Sequence, residues 1–217
     1  MNAACQTVTP IKRGRKYDQV IAGARTVFMA SGFDGASVDD IAKEAGVSKA
    51  TLYSYFSDKR LLFMEVASIE CRRQTDDALE ELDMTRPPRE VLHFAAARMI
   101  HFLLSPFGRG AFRIVVAEAQ RFPQLGQEFW ECGPKRGRAI LADYFRTAAA
   151  RGELLIEDYA LAADQFSELC KADLFPRMIF GITQDFTEAE RRRVADGAVD
   201  MFLARYGTAH RQSLAAE

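Results

Sequence analysis

The chain has 217 residues, of which 48% are hydrophobic and 27% are charged, and this composition is typical of a globular protein large enough for one or two cores. No apolar run approaches the length that spans a membrane, and the N-terminus lacks the apolar core of a secretory signal, so we expect a cytoplasmic chain with no membrane partner. The net charge of −1 is unevenly distributed along the chain. The residues through Arg60 include nine Lys or Arg against six Asp or Glu, so this part carries a charge of +3 and the rest carries −4. A positive N-terminal part suggests that it contacts nucleic acid.

The first segment, residues 1–14, is polar and irregular, and we interpret it as a flexible basic arm. Four cations lie on either side of its end, Lys12 and Arg13 within the arm and Arg15 and Lys16 directly after it. The arm is either a solvated tail or a segment that reaches phosphates or the minor groove of DNA. A helix is predicted next, from Tyr17 to Ser31, because its apolar residues recur at helical spacing and Gly32 is suited to end it.

Two short helices joined by a glycine turn are predicted after the first helix. Ser37 is a suitable N-cap for the first of them, with Asp40 able to complete a capping box. Gly46 is suited to the left-handed position that ends this helix, and Ser48 caps a second helix from Lys49 to about Phe56. Such a pair forms a helix-turn-helix, whose second helix enters the DNA major groove.

The outward side of the second helix carries residue types that contact DNA. Lys49 can reach a base edge or a phosphate, and Ala50 is small enough to approach a thymine methyl. Tyr53 and Ser54 can donate hydrogen bonds to phosphate oxygens. The alternative is a capped hairpin in an unrelated all-α protein, with Lys49 and Tyr53 on a solvated face. The preceding basic arm and packing helix favour a three-helix DNA-binding domain, residues 15–60.

Three segments of this region carry a family resemblance: AGARTVFMASGF from Ala22, SVDDIAKEAGVSKATLYSYF from Ser37 and SDKRLLFMEV from Ser57. They resemble the N-terminal domain of the TetR family of one-component transcriptional regulators. The resemblance implies a homodimer on a near-palindromic double-stranded DNA operator, a helical C-terminal domain that binds a small-molecule effector, and usually repression. It implies DNA contacts from Ser37, Lys49, Ala50, Tyr53 and Lys59, and either a phosphate contact or a packing role for Tyr55. With Ser48, Thr51 and Ser54 added, nine residues are predicted to bind DNA.

The rest of the chain, residues 61–217, is predicted to be a helical bundle for ligand binding and dimerisation, so the fold class is all-α. A long helix from Asp58 toward Met84 is shared by both domains and can transmit displacement between them. Further helices are expected at 89–104, 109–121, 124–131, 133–151, 159–181 and 187–205, and no strand alternation is present. Pro176 should kink or divide one of these helices. The segment from Ile114 to Leu154 resembles the C-terminal domain of the AefR-like subgroup.

Aromatic and sulfur side chains are dense after Pro88, and most are expected in the core. A small-molecule site needs an apolar subset of such residues with a few polar anchors. We predict an effector pocket for a small apolar or aromatic molecule, lined by Met99, His101, Phe102, Phe112, Val116, Glu118, Gln120, Trp130 and Met178.

The last two predicted helices carry apolar stripes larger than a chain of this size can cover by itself. The family resemblance implies that they pair with their counterparts in a four-helix bundle. The predicted interface consists of Phe166, Leu169, Val194, Ala198, Met201, Phe202 and Arg205.

The main alternative function is a helical-bundle ligand carrier or enzyme with a vestigial DNA-binding head, and an architectural DNA binder with little sequence preference is a third. No G-x-S-x-G, Glu-x-x-His or glycine-rich phosphate loop supports an enzyme, so we expect no catalysis and no cofactor. His93 and His101 have no evident third ligand, so we expect no metal.

The cysteines, Cys5, Cys71, Cys132 and Cys170, contain no C-x-x-C pair, so neither a zinc knuckle nor a disulfide framework is indicated. Reduced thiols in the core are the default expectation. A redox sensor would require a thiol exposed beside a cation. Cys71 beside Arg72 and Arg73, or Cys132 near Lys135, meets the second of these conditions.

Overall fold

The computed structural model describes residues 14–81 and 83–208, and these residues form eleven α-helices with no β-strand in either range. The predicted all-α fold class is confirmed. The chain divides into two compact units, one that ends at Val66 and one that begins at Ala67. This boundary lies a few residues beyond the predicted end of the first domain at Arg60. The predicted basic arm falls almost entirely on residues 1–13, outside the described residues.

Helices α1 to α3 and the start of α4 belong to the N-terminal unit, and the others belong to the C-terminal unit. Their bounds are α1 Arg15–Gly35, α2 Val38–Glu44, α3 Lys49–Tyr55, α4 Lys59–Glu81, α5 Pro88–Leu104, α6 Pro106–Glu118, α7 Pro123–Cys132, α8 Pro134–Ala150, α9 Tyr159–Leu169, α10 Leu174–Ile179 and α11 Glu188–Tyr206. Within the described ranges no single helix is long and apolar enough to cross a membrane, although α5 and α6, bent by 69°, reach that length and apolarity together.

The N-terminal unit is held by an aromatic cluster beneath its short helices. The ring of Phe28 meets that of Phe63 edge-on at 4.8 Å between centroids, and Phe33 packs on Phe63 at 5.3 Å. Ile41 of α2 and Leu52 of α3 are fully buried, as their helical spacing predicts. The two short helices are therefore fixed by their apolar sides, which leaves their polar sides in solvent.

The C-terminal unit has a core built around α11. The ring of Phe202 lies 4.9 Å from that of Phe145 on α8 and 5.5 Å from that of Phe166 on α9. All three side chains are almost completely buried. Packing of α11 on α5, α8 and α9 in this way produces the predicted helical bundle.

Two helix interruptions differ in their agreement with prediction. Gly32 has φ 69° and breaks the helical conformation inside α1, at the residue predicted to end the first helix. The long helix predicted from Tyr159 divides upstream of Pro176, between α9 and α10. There Asp173 has φ 62°, and the N–H of Leu174 donates to the carbonyl of Ala172 at 2.7 Å. Pro176 lies in the first turn of α10, where a missing N–H leaves no helical bond unmade.

Candidate nucleic-acid interface

Helix α2 begins at the predicted N-cap Ser37 and ends just before the predicted Gly46, but the Asp40 carboxylate bonds the Ser37 hydroxyl and not the backbone N–H that a capping box would use. The hydroxyl of Ser37 accepts from the N–H of Asp40 at 3.0 Å and donates to the Asp40 carboxylate. At the other end Gly46 has φ 63°, and the N–H of Val47 donates to the carbonyl of Ala42 at 3.0 Å. The left-handed glycine reverses the chain within a few residues, and this reversal sets the crossing of α2 and α3.

Helix α3 starts directly after the turn and is anchored from behind. The hydroxyl of Ser48 accepts from the N–H of Thr51 at 3.1 Å, which caps the helix. Leu52 is fully buried and Phe56, directly after the helix, is 3% exposed. Because these residues point inward, the opposite side of α3 is presented to solvent.

The exposed side of α3 carries most of the residues predicted to contact DNA. Lys49, Ala50 and Ser54 are exposed, and Tyr53 keeps 49% of its surface accessible. Ser37 and Ser48 are exposed at the two caps, whereas Thr51 is half-buried. These residues line one surface made by α3 and the start of α2, which we call the α3 face.

Two predicted contacts are already engaged in bonds on the α3 face. The ammonium of Lys49 forms an ion pair with Asp39 of α2, and both side chains remain more than half exposed. The hydroxyl of Ser54 donates to the carbonyl of Thr51 at 2.6 Å. An exposed ion pair contributes little to stability, so Lys49 can exchange Asp39 for a phosphate or a base at small cost. The pairing of Lys49 with Asp39 was not predicted from the sequence.

Tyr55 and Lys59 are packed more closely than the α3 face. The Tyr55 ring meets that of Tyr17 edge-on at 6.0 Å, which fits a packing role. The ammonium of Lys59 donates to the carbonyls of Phe33 and Ala36, both at 2.9 Å, and lies 4.2 Å from the Phe33 ring centroid. Two of its three N–H groups are used within the N-terminal unit, so at most one remains for the predicted phosphate contact.

The residues predicted for the effector pocket are spread between the core and the surface. Met178 is buried; Met99, Phe102, Phe112 and Glu118 are half-buried; His101, Val116, Gln120 and Trp130 are exposed. The ring of Phe112 meets that of Phe175 edge-on at 4.9 Å. Because four of the nine side chains are exposed, the nine residues as a set do not enclose one cavity.

A separate cleft of about 250 Å³ shares no residue with this predicted pocket. It is lined by Glu81, Asp83, Arg86, Glu90 and Phe94. Four of these five side chains are charged, and Arg86 bonds Glu90 at 2.8 Å. This polar lining does not suit a small apolar molecule.

The prediction of the dimer interface needs correction at four positions. Phe166, Val194, Ala198 and Phe202 are buried in the core of the chain itself, so they have no surface left to bury against a second subunit. Leu169 is half-buried, whereas Met201 and Arg205 are exposed. The helical spacing of the apolar residues was read correctly, but periodicity does not reveal which neighbour a buried side chain meets.

Two models of known protein families match the chain, one in each of its two units. A model described as "Bacterial regulatory proteins, tetR family" matches residues 20–66, and one described as "AefR-like transcriptional repressor, C-terminal domain" matches residues 90–208. The second match covers more than half of the 217 residues. The chain belongs to the TetR family. The resemblance seen in the sequence is therefore confirmed in both parts, and the first match ends at Val66, where the N-terminal unit ends.

Two solved structures of the TetR fold cover nearly the whole chain. A TetR-family transcriptional regulator from Mesorhizobium loti MAFF303099 is 31% identical over 89% of this chain and 98% of its own, with a TM-score of 0.73. The flavonoid-responsive regulator FrrA is 33% identical over 90% of this chain and 99% of its own, with a TM-score of 0.64.

Curated relatives match a smaller part of the chain. The negative regulator of the biofilm operon icaADBC, IcaR of Staphylococcus aureus, is 39% identical over 54 residues, which are 25% of this chain and 28% of that protein. The transcriptional activator FasR of Mycolicibacterium smegmatis is 30% identical over 93 residues, 43% of this chain and 42% of that protein. The chain thus spans less than half the length of these curated relatives.

Proposed function

We propose that this TetR-family chain is a homodimeric transcriptional repressor that binds a near-palindromic operator and is released by a small apolar or aromatic molecule. The observation that carries the proposal is the α3 face. Lys49, Ala50 and Tyr53 lie exposed on a helix whose opposite side is buried at Leu52. A capped helix fixed from behind presents these groups to DNA without reordering.

The α3 face combines two kinds of DNA contact. Lys49 supplies positive charge and, at the first position of the helix, can reach a base edge or a phosphate. Tyr53, one turn further along, supplies a hydroxyl for a phosphate oxygen. Ala50 leaves room for a thymine methyl between them. These contacts repeat on the second subunit, which is why we propose a near-palindromic operator.

Dimerisation is supported by an apolar surface on the C-terminal unit, which we call the α9/α11 patch: Leu155, Leu161, Met201 and Tyr206. The backbone N–H of Leu155 donates to the carbonyl of Tyr206 at 2.8 Å, and the Tyr206 hydroxyl donates to Gln165, one turn along α9 from Leu161. Met201 is 63% exposed and Leu161 is 51% exposed. Exposed apolar side chains of this size on two helices that pack together, as α9 and α11 do, are typical of a protein interface.

The direction of regulation and the class of effector are supported by relatives. The C-terminal family model is named for a repressor and IcaR is a negative regulator, while FasR is an activator. FrrA, which is named for its response to flavonoids, supports an aromatic effector. Release requires that the effector bind the DNA-incompetent arrangement more tightly, and a hundredfold shift corresponds to about 2.7 kcal/mol of differential affinity.

The proposal is tested by footprinting the purified full-length protein on DNA that flanks its own gene, followed by titration of the protected fragment. We expect a protected site with two-fold symmetry and salt-dependent binding. Tyr53→Ala should weaken binding by roughly fivefold for each half-site, which corresponds to the loss of about 1 kcal/mol per hydrogen bond. A control is Phe180→Ala, which removes an exposed aromatic ring from the loop after α10, 76% exposed against 49% for Tyr53, and should leave affinity unchanged.

Two results would count against the proposed function. Binding that competitor DNA removes equally well would indicate an architectural DNA binder. Unchanged affinity of Tyr53→Ala on a protected operator would show that the α3 face is not the reading surface. Repetition of the footprint with planar aromatic compounds tests the effector, since loss of protection at one of them is the expected result.

A further inference from the structure

Two cysteines that are far apart in sequence lie together in the C-terminal unit. The thiol of Cys71, on α4, donates to the carbonyl of Cys132, the last residue of α7, at 3.4 Å across 61 residues of chain. The thiol of Cys132 lies 3.7 Å from the hydroxyl of Ser68, one turn earlier on α4. A Cβ placed on Gly133 would lie only 3.4 Å from the sulfur of Cys71. The end of α7 therefore lies directly against the Cys71 side chain.

The surroundings of the pair favour a thiolate on Cys132 and a protonated Cys71. A hydrogen bond from Cys71 lowers the pKa of Cys132 to about 6, against the effect of burial and with help from the Ser68 hydroxyl and the charge of Arg72. The neighbouring Cys132 side chain, together with burial, raises the pKa of the Cys71 thiol. At neutral pH the pair therefore offers a nucleophilic sulfur beside a second thiol.

Cys170 provides a contrast within the same unit. It is buried at the end of α9, and burial raises its pKa to about 12. Such a thiol stays protonated and unreactive. The difference between Cys170 and the pair gives an internal control for any oxidation experiment.

We propose that Cys71 and Cys132 form a reversible intramolecular disulfide when a hydroperoxide oxidises the pair, so that α4 becomes covalently joined to the end of α7. The Cys132 thiolate attacks the terminal oxygen of the peroxide and becomes a sulfenic acid, and the alkoxide or hydroxide that leaves takes up a proton. The Cys71 thiol then attacks the sulfenic sulfur, the S–S bond forms and water departs. Cys132 is buried and Cys71 is half-buried, so the peroxide reaches the pair from the side of Cys71.

The test uses the reduced full-length protein, treated with hydrogen peroxide, alkylated and digested with trypsin. Each cysteine falls in its own peptide, so a bond between Cys71 and Cys132 appears as peptide 61–72 joined to peptide 122–135. We expect two of the four thiols to be lost, the band to stay at the monomer position without reductant, and dithiothreitol to restore both thiols. Cys170→Ala should oxidise like the parent protein. With Cys71→Ala we expect a dimedone adduct on Cys132 in place of the cross-link.

A second readout measures what the cross-link does to the fold. Because a disulfide restricts the unfolded chain, the oxidised protein should unfold at higher urea concentration than the reduced protein, and Cys71→Ala should show no such gain. Alkylation of both Cys71 and Cys132 after peroxide treatment, or cross-links that join Cys170 or a second chain, would overturn the proposal. Neither readout depends on DNA binding, so failure here is separable from failure of the proposed function.

Discussion

Gly23 is the residue on which the close approach of α1 and α2 depends. A Cβ added at this position would lie 2.5 Å from the backbone nitrogen of Ala45 and 2.7 Å from its Cα. These are backbone atoms at the end of α2, next to the turn at Gly46, and they cannot rotate aside as a side chain can. Any larger residue at position 23 must therefore push the helix-turn-helix away from α1.

We predict that Gly23→Ala destabilises the protein by about 1 to 3 kcal/mol, the usual cost of overpacking, although alanine is the better helix former. The matched control is Gly137→Ala in α8, where an added Cβ meets no atom within 4 Å. This control should be neutral or up to about 1 kcal/mol more stable, because alanine loses less backbone entropy in a helix. Urea unfolding followed by circular dichroism measures both, and equal effects of the two substitutions would contradict the packing argument.

The sequence predicted which side chains of the N-terminal unit are exposed, but it did not predict their contacts with other helices. Tyr53 and Lys49 could be assigned to the outer side of α3 because helical spacing alone decides which side Leu52 buries. The contact at Gly23 could not be predicted, since it depends on the distance between two helices. The partners of Lys49 and Lys59 were also missed, because a long cationic side chain bonds whichever acceptor the tertiary fold brings within reach.

Local sequence signals predict the helices of the C-terminal unit but do not fix the residue at which each one begins. Four successive helices begin at a proline, namely Pro88, Pro106, Pro123 and Pro134. Pro88, Pro106 and Pro123 lie just before the helices predicted at 89–104, 109–121 and 124–131, whereas in the structure each occupies the first helical position, where its fixed φ and missing N–H are favourable. The predicted start of α6 at Arg109 was therefore three residues late, and the capping bond from the N–H of Gly108 to Ser105 at 3.0 Å explains the earlier start.

The first turn of α11 is held by a capping box that responds to pH. The Thr187 hydroxyl accepts from the N–H of Glu190 at 3.2 Å, and the Glu190 carboxylate accepts from the N–H of Thr187 at 2.8 Å. The bonds from the backbone and hydroxyl of Thr187, with the nearby guanidinium of Arg177, lower the pKa of Glu190 below its ordinary value of 4.5. A lowered pKa in the folded state means that the carboxylate stabilises the fold above about pH 4.5 and that this stabilisation is lost as pH falls further.

We predict that Glu190→Gln lowers the urea midpoint at pH 7 and that the difference from the parent protein shrinks between about pH 5 and pH 3. The amide keeps an acceptor for the Thr187 N–H but carries no charge to lose, so its stability should depend less on pH in this range. Glu188→Gln, at an exposed position in the same turn, is the control and should keep the acid dependence of the parent. A constant difference between Glu190→Gln and the parent at all pH values would show that the charge of Glu190 does not contribute.

The proposed repressor depends on two copies of the α3 face held together through the C-terminal units. A near-palindromic operator presents two half-sites. A dimer loses its translational freedom once when it binds both half-sites, whereas two monomers that bind separately each lose theirs. We therefore expect dimerisation to contribute most of the operator affinity without any contact to DNA. The α9/α11 patch is the surface on which we expect this coupling to rest.

We predict that Leu161→Lys combined with Met201→Lys converts the protein to a folded monomer. Both side chains are more than half exposed in the single chain, so lysine can replace them without loss of core packing. In a dimer interface the substitutions would bring four lysines together, and these would repel one another and lose hydration. Light scattering should give a mass near 24.3 kDa in place of about twice that value. Operator affinity should fall by at least about a hundredfold, because the advantage of paired half-sites is lost.

The control for this change is Phe180→Lys combined with Ile182→Lys, which places the same charges on two exposed apolar residues of the loop after α10. It should remain dimeric and keep its operator affinity, since that loop lies outside the α9/α11 patch. If the double variant at Leu161 and Met201 stayed dimeric, the dimer interface would have to lie on another surface. The loop after α10 would then be the next surface to test. A monomer that keeps full operator affinity would instead mean that one α3 face suffices, and the symmetric operator would have to be abandoned.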